Sequence, residues 1–152
     1  MSEGPARLDA TAKRIIELLQ EDGRISYAAI AKAVGLSEVA ARARVQKLLY
    51  SEIMQIVAVT DPTQVGFTRQ AMIGVRTEGD LTKVGDRLAA VKEVDYVVTT
   101  AGSFDLLVEV VCEDDPHLLD VIRRVRELEG VLSSETFVYL KLNKQHYNWG
   151  TR

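Results

Sequence analysis

One cysteine, two histidines and one tryptophan are all that a chain of 152 residues contains of these types, and the shortages narrow what it can be. A single cysteine allows no intrachain disulfide. Cys112 lies in the apolar run LLVEVVCE, where a buried, inert thiol is expected. His117 and His146 are far apart and have no Cys or acidic partner at ligand spacing, which argues against a zinc site. No apolar run approaches the ~20 residues that a membrane span needs. The opening MSEGPARLDA holds no stretch able to act as a secretory signal. Paired catalytic carboxylates, Ser-His or Cys-His sets and phosphate loops are all missing, so the chain does not read as an enzyme. Together these absences lead us to expect a reducing, cytoplasmic setting with no metal, cofactor or membrane.

What is present is a globular balance, 47% hydrophobic and 27% charged. The formal net charge of −3 is unevenly spread. Residues 1–60 carry eight Lys and Arg against seven Asp and Glu, whereas residues 61–152 carry eleven against fifteen. Between Arg24 and Tyr50 the basic residues Arg24, Lys32, Arg42, Arg44 and Lys47 face only Glu38. Attraction to phosphate is screened beyond about 10 Å, so a local basic face counts for more than the total.

The first half reads as three helices. Asp9 can cap the first, followed by Ala12, Ile15, Ile16 and Leu19 at helical spacing, with Gly23 in EDGR as its stop. Ser26 can cap YAAIAKAV, which stops at Gly35, and Ser37 can cap the third helix. Two helices joined by a short Gly-containing turn make the helix-turn-helix pattern, although any small three-helix bundle shows the same periodicity. On the third helix Ala41, Val45, Leu48 and Leu49 share an apolar face. The other side carries Val39, Ala40, Ala43, Gln46 and Lys47, with Arg42 and Arg44 on the flanks. Small residues permit close approach to the major groove. Ala or Val can touch thymine methyls, and Gln46 can reach an adenine edge. The expected DNA-binding set is Arg24, Ser26, Tyr27, Ser37, Glu38, Val39, Ala40, Arg42, Ala43, Gln46 and Lys47. Each charge taken singly is equally well a solvated surface residue, and Arg44 can instead form an ion pair inside the domain.

The second half alternates strand and helix periods. A strand-like connection leads to a turn at Asp61-Pro62. The strand QAMIGVRT follows, then a helix with Leu81, Val84, Leu88 and Val91 on one stripe. DYVVTTAGSFDLLVEVV reads as two strands around a tight turn at Ala101-Gly102. A helix opened by Asp115 and Pro116, with Leu118, Val121, Ile122, Val125 and Leu128 on its stripe, leads to the closing strand SSETFVYLKL. The order βαββαβ is ferredoxin-like. The helix-covered face is expected to hold Ala71, Ile73, Val75, Leu106, Val108, Val110, Val138 and Leu140. The other face would hold Met72, Val98, Leu107, Val111, Phe137 and Tyr139. An apolar second face marks an interface, so a homodimer formed through the sheet is expected. A two-fold dimer also suits palindromic half-sites. Phe137 and Tyr139 lack the basic surround that an RNA-binding sheet requires.

These residues resemble a known family. LDATAKRIIELLQEDGRISYAAIAKAVGLSEVAARARVQKL resembles the helix-turn-helix of the Lrp/AsnC (feast/famine) transcription regulators. AVTDPTQVGF resembles their connecting strand, VVTTAGSFDLLVEVV their sensing turn and strand, and SSETFVYLKL their closing strand, over about residues 8–142. The resemblance implies an α+β chain whose N-terminal three-helix helix-turn-helix domain precedes a ferredoxin-like βαββαβ effector and oligomerisation domain. The expected divisions are a flexible tail at 1–6, the DNA-binding domain at 7–54, a connecting strand or hinge at 55–67, the sensing domain at 68–142 and a C-terminal tail at 143–152. The resemblance also implies double-stranded DNA as partner, dimers that assemble to tetramers or octamers, and a small effector, an amino acid, bound between dimers. On matching positions the effector set is Thr100, Gly102, Phe104 and Asp105, with Ser133, Ser134 and Thr136 nearby. Asp105 can accept from an ammonium or cap the turn through its own backbone. An architectural DNA protein of the same fold, with no effector, stays open as an alternative. Two positions depart from the family pattern. Ala12 stands where an acidic residue is common, and Glu52-Ile53-Met54 replaces a Gly-Val-Ile run. Either Glu52 takes a left-handed backbone or the third helix exits differently.

Overall fold

The computed structural model describes residues 8–152, so the tail expected at 1–6 lies outside the described residues. The chain forms two compact units. One comprises the residues up to Val59 together with Lys144–Arg152, and the other comprises Thr60–Asn143.

The helical unit contains α1 (Ala10–Glu21), α2 (Tyr27–Val34) and α3 (Glu38–Tyr50). Each begins at the cap its sequence offers. Asp9, Ser26 and Ser37 accept hydrogen bonds from the backbone N–H groups of Ala12, Ala29 and Ala40. Such caps satisfy donors that a helix start leaves unpaired, at about 1 kcal/mol each. Helix α1 ends earlier than its glycine suggests. Asp22 closes it in an extended conformation, and Gly23 is not left-handed. Helix α2 ends at Gly35 with φ 69°, as a left-handed cap requires. Ile15, Ile30, Ala41 and Val45 form the centre of the core, with Ala12, Ile16, Ala31 and Leu48 around them. The last residues return to this unit. Gly150 N donates to Gln20 Oε1 at 3.1 Å, and Thr151 Oγ1 donates to Glu17 Oε1 at 2.7 Å.

In the other unit a single 3-10 turn at Pro62–Val65, capped by Asp61, precedes β1 (Arg69–Thr77). Then come α4 (Leu81–Ala89), β2 (Val94–Thr99), β3 (Leu106–Cys112), α5 (Asp115–Glu127) and β4 (Val131–Val138). The strands form one antiparallel sheet in the order β2-β3-β1-β4, with α4 and α5 packed on one face. This is the ferredoxin-like arrangement. Its core joins Ala71, Ile73, Val75, Leu106, Val108 and Val110 to Val84, Leu88, Leu118, Val121 and Val125. Cys112 is fully buried there, and burial, followed by the nearby Glu93 charge, pushes its thiol up to about 11.

Four expectations need correction. The connection before Asp61 is not a strand, because a strand exists only as part of a ladder and residues 55–60 pair with none. The cap of α5 is Asp114, which accepts from His117 N, with Asp115 and Pro116 following inside the helix. The β2–β3 connection is a loop over residues 100–105 in place of a tight turn. Finally, β4 stops at Val138, so Leu140 lies beyond the sheet at 96% exposure and Val138 is only half covered.

Candidate DNA-reading helix and sensing loop

Helix α3 is divided by burial. Ala41, Val45 and Leu48 are buried against α1 and α2. Val39 (80% exposed), Arg42, Ala43, Gln46 and Lys47 are exposed, and Ala40 is half-buried. The small side chains at 39, 40 and 43 leave the helix backbone approachable between longer polar ones. Ser26 and Ser37 sit at the starts of the two helices as caps, Glu38 occupies the first turn of α3, and Arg24 is exposed before α2. An acidic residue at a helix start and Lys47 in the last turn both suit the helix dipole. Arg44 takes the internal role left open by its sequence. Its Nη1 lies 2.6 Å from Asp9 Oδ2, which ties α3 to the start of α1. That guanidinium, with the Ala12 N–H, holds the Asp9 carboxyl below the usual range.

Two side chains of the expected DNA-binding set are not independent. Gln46 Nε2 donates to the Tyr27 hydroxyl at 3.2 Å, and the Arg42 guanidinium lies over the Tyr27 ring, 5.7 Å from its centroid.

The far end of α3 answers the question posed by Glu52, which takes φ 56°. Ile53 N donates to Leu48 O at 3.2 Å and Glu52 N to Leu49 O at 3.1 Å. This is the two-bond closure of a Schellman motif, here with glutamate where glycine is usual. The chain therefore keeps the usual helix exit and bears the strain of it.

On the sheet unit, strand register decides which sensing residues can meet. Directly paired residues point to the same face. Ser134 pairs with Val75 and Thr136 with Ile73, so both belong to the helix-covered side. Ser134 Oγ accepts from Arg126 Nε of α5 at 2.9 Å. Ser133 pairs with Arg76 on the opposite, uncovered side. The sheet thus separates Ser134 and Thr136 from Ser133.

The loop before β3 is held by named bonds. Thr100 N donates to Asp105 O at 2.9 Å, and the Thr100 hydroxyl donates to Phe104 O. The Asp105 carboxylate does not cap its own turn. Its Oδ2 accepts from Thr77 N at 2.7 Å and from Thr77 Oγ1 at 3.3 Å, at the irregularity where β1 leaves the β4 ladder. Gly102 is exposed, and a Cβ there would meet nothing within 4 Å, so its backbone is open.

Phe104 lies over Gly74, where a Cβ would come within 2.6 Å of its ring. It meets the Phe137 ring edge-on at 6.1 Å, and the Arg76 guanidinium lies 5.6 Å from its centroid while Arg76 Nε donates to Ser103 O at 3.0 Å. Gly74, Arg76 and Thr77 were absent from the expected set. A glycine inside the strand QAMIGVRT is itself a sign of close approach and points to this packing. The uncovered face is less uniformly apolar than expected, since Glu109 and Glu135 pair with Met72 and Gly74. Gln70 Nε2 donates to Glu109 Oε1 at 3.1 Å, and burial, followed by the Glu109 carboxylate, pushes the Tyr139 pKa up to about 12. Among the described residues no cluster of His, Cys, Asp or Glu could hold a metal ion, and no helix is long and apolar enough to cross a membrane.

Comparison with known proteins bears on both units. Residues 8–49 match the AsnC-type helix-turn-helix domain, and residues 70–149 match the Lrp/AsnC ligand binding domain. An uncharacterised HTH-type transcriptional regulator of Pyrococcus furiosus is 33% identical over 143 residues, covering 92% of this chain and 97% of its own length. The HTH-type transcriptional regulator FL11 of the same organism is 30% identical over 140 residues, covering 91% and 93%. A transcriptional regulator from Neisseria meningitidis, solved as an L-Met complex, superposes with a TM-score of 0.79 at 25% identity, covering 93% of this chain and 95% of that one. Escherichia coli AsnC has the same fold, with a TM-score of 0.78 at 24% identity over 92% of this chain and 97% of its own.

Proposed function

The chain belongs to the Lrp/AsnC family of transcriptional regulators, and on that premise we propose that it reads double-stranded DNA with α3, as half of a two-fold homodimer, under the control of a bound amino acid. One observation carries the DNA reading. The side of α3 turned away from the core presents Val39, Ala43, Arg42, Gln46 and Lys47, a row of small residues flanked by hydrogen-bond donors. That combination allows close approach to base edges and contact with phosphate.

The uncovered sheet face supports dimerisation. Phe104, Phe137, Met72 and Leu107 supply apolar area, and Glu109 accepts from Gln70 Nε2 within its own chain. Assembly of such dimers into tetramers or octamers is the further step the family suggests.

The effector reading centres on the loop of Thr100, Gly102, Phe104 and Asp105, with Ser133 on the same side as Arg76. Asp105 Oδ1 is unused among the described residues and can accept from an ammonium, while the open backbone at Gly102 can approach a carboxylate. The L-Met complex of the Neisseria relative supports the amino-acid class.

Thermal unfolding of the full chain with each of the twenty amino acids tests this reading. A ligand at about 100 times its Kd adds roughly 2.7 kcal/mol of stability, so a true effector raises Tm by several degrees and alters DNA affinity in parallel. No shift with any amino acid refutes the effector role and leaves an architectural DNA-binding protein.

A further inference from the structure

Tyr27 joins two exposed residues of α3 that the sequence presents as separate. It is the first residue of α2 and is half-buried, with its ring packed against the core of the helical unit. Its hydroxyl accepts from Gln46 Nε2 at 3.2 Å, and its ring lies beneath the Arg42 guanidinium, 5.7 Å away. Residues 42 and 46 are four apart on one helix, so both fall on the same face. A single aromatic side chain of the first helix of the pair therefore fixes two candidate readers on the second.

We propose that Tyr27 is a positioning residue that sets the base preference of α3, acting through Gln46 and Arg42. This rests on the reading that α3 enters the major groove. A primary amide offers two N–H hydrogens and one acceptor oxygen. With one hydrogen on Tyr27, Gln46 keeps one N–H and Oε1, the donor–acceptor pair that matches N7 and N6 of adenine. An untethered glutamine loses rotamer freedom when it binds, which weakens its contact. The Tyr27 bond imposes part of that order before DNA arrives. Arg42, stacked on the ring face, keeps its N–H donors available for phosphate or guanine.

The variant Tyr27→Phe removes the hydroxyl while keeping the ring, its core contacts and the Arg42 stack. The test is selection from a randomised duplex library by the full chain, run in parallel for wild type, Tyr27→Phe, Gln46→Ala and the double variant. Wild type should enrich adenine at one position of each half-site. Gln46→Ala should lose that preference by roughly five-fold or more, the lower end of what a bidentate contact discriminates. Tyr27→Phe should lose about three-fold or more at the same position, and add nothing in the Gln46→Ala background. Its loss should fall on that one position and exceed any change at the other positions of the half-site. Unaltered base preference in Tyr27→Phe overturns the proposal, as does a uniform loss on every sequence. A wild-type chain that enriches no sequence at all fails at the earlier step, the DNA reading itself, and the proposal falls with it.

Discussion

Replacing Glu52 with glycine removes a backbone cost at the end of α3. Glu52 is the one non-glycine residue with positive φ among the described residues. Crowding of a Cβ against the following carbonyl costs roughly 1–2 kcal/mol in that region. Glycine escapes it but gains about 0.4–1 kcal/mol of freedom in the unfolded chain. The difference is a net stabilisation of about 0.5–1 kcal/mol. The closing hydrogen bonds from Ile53 N and Glu52 N are backbone bonds and survive the change. No hydrogen bond or ion pair of the Glu52 carboxylate is present among the described residues to be lost. For a unit of this size 1 kcal/mol moves Tm by about 4–8 °C, so Glu52→Gly should raise the melting of the helical unit by about 2–8 °C. Urea unfolding followed by far-ultraviolet circular dichroism gives the free energy. Gly35→Ala is the opposite control. Gly35 has φ 69° and open space around it, so adding a Cβ there should cost about 1 kcal/mol through conformation alone. If Gly35→Ala destabilises as expected while Glu52→Gly is neutral or destabilising, the strain assigned to Glu52 is wrong.

Other perturbations follow from the same geometry. Gly74→Ala places a Cβ 2.6 Å from the Phe104 ring and should cost about 1–3 kcal/mol by overpacking; an unchanged urea midpoint contradicts the stacking described. Asp105→Ala removes the acceptor of Thr77 N and should cost about 1.5–3 kcal/mol. Asp105→Asn, which keeps an acceptor, should stay folded and lose its amino-acid response; a full response in that variant contradicts the ammonium role. Acid should destabilise the fold. Burial pulls the Glu93 pKa up, but Arg124 Nη2 at 2.8 Å from Oε2 and His117 Nε2 at 3.1 Å from Oε1 outweigh it and leave it lowered; Asp9 is lowered by Arg44. A carboxylate whose folded pKa is depressed contributes full stability above its ordinary value, here 4.5 for Glu93 and 3.8 for Asp9, and loses it as pH falls through the lowered value. Glu93→Gln should flatten the fall in stability that begins as pH drops below about 4.5; a loss centred near neutrality contradicts the assignment.

Local rules were the legible part of this chain. Asp9, Ser26, Ser37 and Gly35 mark helix ends through bonds made within a few residues, so their neighbours in sequence suffice to find them. The alternation of strand and helix periods likewise gives the βαββαβ order and the central core strands. What could not be read depends on distant partners. The connection before Asp61 has strand-like residues and no ladder. Register put Ser134 and Thr136 on the face opposite Ser133, and the irregularity between Arg76 and Thr77 placed Thr77 N within reach of Asp105. The Arg44–Asp9 pair spans 35 residues, and the Tyr27–Gln46 bond joins two helices; neither leaves a sequence signal beyond residue type.

The central claim is that the exposed face of α3 holds DNA despite a net charge of −3. Its most direct test is the salt dependence of duplex binding by wild type and by Arg42→Ala and Lys47→Ala variants. Binding through phosphate contacts makes log K fall linearly with log salt, by about 0.9 for each phosphate neutralised. The account predicts a steep wild-type slope that each variant lowers by about one. Binding that is insensitive to salt, or slopes unchanged by both substitutions, would contradict it.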